Sequence, residues 1–217
     1  MRRNYLYCLI ITGILWSLAP PSYSQDKPAE QTKLMAEIPP TAPTSGFRAE
    51  FLEELTYYEQ RYMRLAEAMP AEKYAWRPAE GVRSVGEVFA HIAAVNVLVG
   101  RTLSGPLKLG VTYGVDNQTV IKNTMALSAD KEKLLHYLKD SFTSLRNTVL
   151  HLGDADADKP PAIFNRHTTL RGSFIAITGH LGEHLGQASA YARMNGVVPP
   201  WTEGFQQQPK PADKPKQ

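Results

Sequence analysis

The sequence predicts an all-α protein, a four-helix bundle with long inter-helix loops. Three observations predict it. Four separate segments carry apolar residues three and four apart, the period of a helix with one buried face. Helix-start and helix-stop residues flank several of these segments. No convincing run of alternating apolar and polar residues argues for a strand.

The first segment is "GFRAEFLEELTYYEQRYMRLAEAMP". Its apolar stripe is Phe51, Leu55, Tyr58, Tyr62, Leu65 and Met69, and Pro70 ends it. The second is "SVGEVFAHIAAVNVLVGRTLSG", where Ser84 and Glu87 have the S-x-x-E form of a capping box. Val85, Phe89, Ile92 and Val99 form one stripe, and Val88, His91 and Val95 lie beside it. His91 therefore sits on the apolar side of this helix. Residues 103–127 are poorly periodic and read as a long loop. The third helix, "DKEKLLHYLKDSFTSLRNTVLHL", buries Leu134, Leu138, Leu145, Val149 and Leu152, with Phe142 close by. Asp130 and Glu132 in its first turn suit the helix dipole. A second loop, "GDADADKPPAIFNR", leads to the fourth helix, about Leu170 to Asn195. Gly196 suits its C-terminal cap and Pro199–Pro200 prevent its continuation. Phe174, Ile177, Leu181, Leu185 and Ala188 supply its apolar surface. Gly179, Gly182 and Gly186 each cost about 1 kcal/mol in a helix relative to Ala, and the expected return is room for a neighbouring helix or a ligand.

The chain has 217 residues, and both ends look different from the middle. Arg2 and Arg3, the apolar run "YLYCLIITGILWSLA" and small residues at Ser22 and Ser24 describe a signal peptide over residues 1–24. The alternative, a retained membrane anchor, needs about 20 apolar residues, and this run is shorter. Cleavage after Ser24 implies export to the periplasm or the medium, with no membrane span afterwards. It also removes Cys8, the sole cysteine, and with it disulfides, cysteine-ligated zinc and a cysteine nucleophile. Without residues 1–24, 24 Lys and Arg against 21 Asp and Glu become 22 against 21, so the formal charge falls from +3 to +1. That balance gives no basic face of the kind nucleic-acid binding requires. Residues 25–45 and 206–217 are polar and proline-rich, expected as a flexible linker and a disordered tail around a folded unit at 46–205.

On the fourth helix, His180, His184, Gln187 and Tyr191 are spaced four, three and four apart, so they form one stripe. Of the six histidines, His136, His151 and His167 fall on a wet helix face, a helix end and a loop, where ordinary surface roles suffice. His91 alone could be a hydrogen-bonded core histidine. Adjacent buried imidazoles need partners and repel if charged, and a metal ion that binds the neutral form answers both needs. Three histidines without cysteine match an open site of three protein ligands plus water. Such ligation suits a divalent transition metal, zinc or nickel foremost, with iron, manganese, cobalt and copper also open.

Two segments in order, "MPAEKYAWRPAEGVRSVGEVFAHIAAVN" (69–96) and "GHLGEHLGQASAYARMNGVVPP" (179–200), resemble the DinB-like (DinB/YfiT) family over about residues 47–201. The resemblance rests on W-R-P-x-E-G-x-R-S-x-G-E running into a helix with the first histidine, then H-x-x-x-H-x-G-Q, Y-x-R-x-x-G and a closing P-P. It implies a DinB/YfiT-like bundle, a three-histidine metal site of His91, His180 and His184, and frequent homodimers. Several relatives use a low-molecular-weight thiol as cosubstrate. An exported chain departs from that, because such thiols are scarce outside the cytosol.

The expected function is thus a metal-dependent enzyme of hydrolase or transferase type, acting on a small-molecule substrate not specified by the sequence. Gln187 is a candidate to hydrogen-bond a ligand, and Tyr191 a candidate to line the pocket. Glu183 lies about 60° from His180 and about 100° from His184 on the helical wheel, so it is expected on the flank, exposed. A non-catalytic metal or small-ligand binding module is the alternative. A remoter one is an H-x-x-E-H zinc peptidase with Glu183 as its base. Few acids follow that motif, only Glu203 and Asp213.

Overall fold

The structure is a computed structural model that describes residues 41–104, 115–160, 162–164 and 166–202. The expected signal peptide at 1–24, most of the linker and the tail at 206–217 lie outside the described residues. Five helices are described: α1 (Phe47–Ala68), α2 (Val85–Ser104), α3 (Asn117–Met125), α4 (Lys131–Leu150) and α5 (Leu170–Met194). None of them is long and apolar enough to cross a membrane.

The predicted stripes form the core. Phe51, Leu55, Tyr62 and Leu65 of α1 are buried, as are Val85, Phe89, Ile92 and Val99 of α2. Leu134, Leu138, Phe142, Leu145 and Val149 of α4 meet Phe174, Ile177, Leu181 and Ala188 of α5 in the same cluster. α1 and α2 each pack against both α4 and α5, so they occupy opposite corners of a four-helix ring. The helix is the mean by which each stripe reaches this core, since spacings of three and four keep it on one side.

The ends follow the predicted chemistry. At the start of α2, Glu87 N–H donates to Ser84 Oγ (3.2 Å) and Ser84 N–H donates to Glu87 Oε2 (2.7 Å), a complete capping box. Val85 and Gly86 give their free amides to the carbonyls of Trp76 and Tyr74, both at 2.9 Å, which ties the preceding loop to α2. Gly86 is needed there, because a Cβ would stand 1.8 Å from the Ser128 carbonyl oxygen. At the end of α5, Gly196 has φ 77°. Val197 N–H reaches Ala192 O at 2.8 Å and Gly196 N–H reaches Arg193 O at 3.0 Å, a Schellman cap.

Two features depart from the loop reading. α3 lies within 103–127, started by Asp116, whose side chain accepts from Thr119 N–H at 2.9 Å. It buries only Val120 and Thr124, too few apolar residues for a visible period. The second loop holds a minimal antiparallel hairpin, β1 (Ala162–Ile163) with β2 (Arg166–His167), Ala162 opposite His167 and Ile163 opposite Arg166. The glycines of α5 are also split. A Cβ on Gly182 would approach Tyr58 Oη to 3.0 Å, whereas Gly179 and Gly186 have nothing within 4 Å. Room for a neighbour accounts for the first alone.

Candidate metal centre

The adjacency of α2 and α5 sets the site. His91 occupies the second turn of α2, beside its buried stripe, and His180 and His184 are one turn apart in the middle of α5. Facing helices bring the three rings together: centroids are 5.2 Å apart for His91 and His180, 4.7 Å for His91 and His184, and 4.6 Å for His180 and His184. Their ligand nitrogens all lie within 4.8 Å of one another. His91 Nε2 and His180 Nε2 are 3.2 Å apart. That matches the nitrogen separation of about 3.3 Å implied by tetrahedral ligation at 2.0–2.1 Å.

The surroundings fix the third ring. His184 is buried, and its Nδ1 faces Gln187 Oε1 at 2.8 Å. The carboxamide oxygen can only accept, so His184 carries its proton on Nδ1 and leaves the Nε2 lone pair to the cluster. Gln187 Nε2 in turn donates to Tyr191 Oη at 3.0 Å. Tyr191 is itself buried, its ring edge-on to Trp76 with centroids 5.5 Å apart. On the other flank, Phe164 stacks on His180 at 5.1 Å and 24°. Phe164 has φ 50°, a left-handed conformation that a bulky side chain rarely adopts.

Burial sets the protonation. It pushes His91 down to about 3, helped by the Arg83 guanidinium and then by the other two histidines. It likewise pushes His180 down to about 4, with His184 and Arg83 lowering it further and Glu183 opposing them. Both imidazoles are therefore neutral near pH 7, the form that offers a lone pair. Three imidazole nitrogens, no sulfur and no carboxylate fit a borderline divalent transition ion. His91, His180 and His184 are the residues that would hold it.

The sequence-derived set is thus only partly one unit. His91, His180 and His184 converge, and Gln187 and Tyr191 stand behind His184 as a brace. Glu183 is exposed on the outer side of α5. His136 is exposed, paired with Asp140 at 3.1 Å, and His151 caps α4 through Asn147 O at 2.7 Å. His167 is exposed on β2. Sequence reasoning missed the parts played by Trp76, Arg83 and Phe164. Trp76 and Arg83 stand in the W-R-P-x-E-G-x-R run, which was the available signal. Nothing in the sequence marked Phe164.

A four-helix bundle with an imidazole-only cluster between two of its helices defines the class. Comparison with known proteins gives the family: the model of the DinB superfamily matches residues 54–188, and the chain belongs to that superfamily. Among solved structures, a DinB-like protein from Bacillus cereus is similar at 22% identity and a TM-score of 0.48, over 69% of this chain and 93% of the other. No curated protein matches the chain.

Proposed function

We propose that this chain is an exported metal-dependent enzyme of hydrolase or transferase type, with a divalent ion held by His91, His180 and His184. The observation that carries the reading is the convergence of three desolvated imidazoles, one of them locked by Gln187 in the ligating tautomer. A bound ion there acts as a Lewis acid toward a substrate oxygen or lowers the pKa of water. Three protein ligands leave room in its coordination shell for that role. Zinc and nickel suit the donor set best. Arg83, exposed and without a hydrogen-bond partner among the described residues, supplies positive charge to the histidines' side of the loop. Arg2, Arg3 and the apolar run after them support export, and family resemblance supports a homodimer.

The test expresses the whole chain, determines the N-terminus of the recovered protein, and measures metal content in wild type, His91→Ala, His180→Ala and His184→Ala. One equivalent in wild type and none in the variants is the expected result. A wild type that stays metal-free after reconstitution sinks the reading. Hydrolase and thiol-transfer assays on the loaded protein then separate an enzyme from a binding module.

A further inference from the structure

Beside the histidines, a groove of ≈350 Å³ runs along α2. That is within the size range of small-molecule sites, roughly 300–1,000 Å³. Val95, Leu98, Val99 and Thr102 form its floor, and Ile163 and Phe164 of the hairpin form a wall. Two features join it to the cluster. Val95 lies one turn beyond His91 on α2, so the groove begins where the histidines end. Phe164 belongs to both, lining the groove and stacking on His180.

Five of the seven described lining side chains are apolar: Val95, Leu98, Val99, Ile163 and Phe164. Thr102 donates its hydroxyl to its own helix, to Leu98 O at 3.0 Å. Asn117, at the far and exposed end, is the one other polar side chain in the lining among the described residues. From Val95 to Thr102 the floor is about 10 Å long, the length of a chain of about eight carbons. Phe164 is held over His180 by a left-handed backbone, a conformation that costs on the order of 1–3 kcal/mol and persists where the surroundings over-determine it. Ile163, beside it, is buried against α2 and pins the hairpin.

We propose that this groove binds the hydrocarbon body of the substrate, a medium-length acyl or alkyl chain whose polar head meets the three histidines. The substrate class is then an amphiphile, and Leu98 and Phe164 set its chain length. This rests on the metal reading for the head group alone.

The test is calorimetric. The zinc-loaded full chain is titrated with straight-chain hydroxamates from two to ten carbons. Each buried methylene is expected to tighten binding about three- to fourfold, levelling off near eight carbons. Leu98→Asp is expected to flatten the series while zinc content and acetohydroxamate binding stay as in wild type. Phe164→Ala provides a second variant if Leu98→Asp loses its helical circular dichroism, and it should weaken the long chains selectively. A flat series in the wild type, or a slope untouched in both folded variants, overturns the groove. Primary alkanols of the same lengths, titrated into metal-free protein, separate the two readings. A chain-length slope there, in a protein that takes no zinc, keeps the groove and removes the metal. Zinc binding with no slope in either series does the reverse.

Discussion

Helix α2 turns polar side chains inward at two levels, Asn96 fully and His91 partly buried, and the two are solved differently. At Asn96, 1% exposed, the amide donates to Ser141 Oγ at 3.2 Å, and Ser141 passes its own proton to Leu138 O at 2.7 Å. Donors there meet acceptors, and the contact simply joins α2 to α4. About a turn and a half earlier, His91 faces His180 and His184. Each neutral imidazole has one N–H and one lone pair. His184 uses its N–H on Gln187, and the 3.2 Å pair of Nε2 atoms can share one proton at most. Lone pairs are in surplus at this level. A buried polar layer of the first kind is complete in itself, whereas the second kind offers lone pairs that a cation could take.

The largest way to pull the levels apart is acid. In metal-free protein, His91 near 3 and His180 near 4 refuse protons that the unfolded chain takes up near 6.5. The unfolded state thus binds more protons below pH 6.5, and stability falls as pH falls. The stabilisation is complete above 6.5 and is lost progressively down through 4 and then 3. Between pH 6.5 and 5 most carboxylates stay ionised, so the slope belongs to the histidines and approaches the uptake of two protons. Urea unfolding of chelator-treated protein across that window measures it. His91→Leu with His180→Leu should flatten the slope, and Ser141→Ala should leave it unchanged. An equal slope in the double variant would break the contrast.

Next in size is the brace. Gln187→Leu removes the acceptor that holds the His184 tautomer. Outer partners of this kind are worth about 10–100-fold in metal affinity. Competition with a chromophoric chelator should show that loss in Gln187→Leu and a smaller one in Tyr191→Phe, while the metal-free protein loses about the 1 kcal/mol that an unpaired buried donor costs. An unaltered affinity would mean that packing alone orients His184.

How much of this was legible follows from where each signal resides. The four long helices were readable because each places an entire stripe in the core, as Phe51, Leu55, Tyr62 and Leu65 do. Helix α3 was not, since Val120 and Thr124 are its only buried residues. A hairpin with two residues per strand has no alternation to detect. The stripe His180, His184, Gln187, Tyr191 was visible as spacing, but spacing does not say which atom faces which. Gln187 was legible as a candidate ligand contact, but its hydrogen bond to His184 was not. His91 stood out as polar on an apolar side, but its meeting with α5 is a matter of which helices neighbour each other. Phe164 could not be read at all: its position depends on one left-handed backbone angle at a residue type that rarely takes it.

The smallest prediction tests the completed level directly. Ser141→Ala leaves the Asn96 amide buried without its acceptor, and an unpaired buried donor costs about 1–3 kcal/mol. The site can relax a little, so about 1 kcal/mol is expected, equal with and without metal and at every pH from 5 to 8. His91→Leu should behave oppositely in metal-free protein. It removes a partly buried ring, and the His180 nitrogen left without its partner is itself only half-buried and can turn to water, so the cost stays small. Only on adding zinc should wild type draw well ahead of it, by an amount that grows with free zinc as binding to the native state alone requires. Thermal melts of both variants, with chelator and across a zinc series, decide it. If His91→Leu is the more destabilised of the two in chelator, the histidine layer is complete without a cation, and the distinction between the two levels disappears.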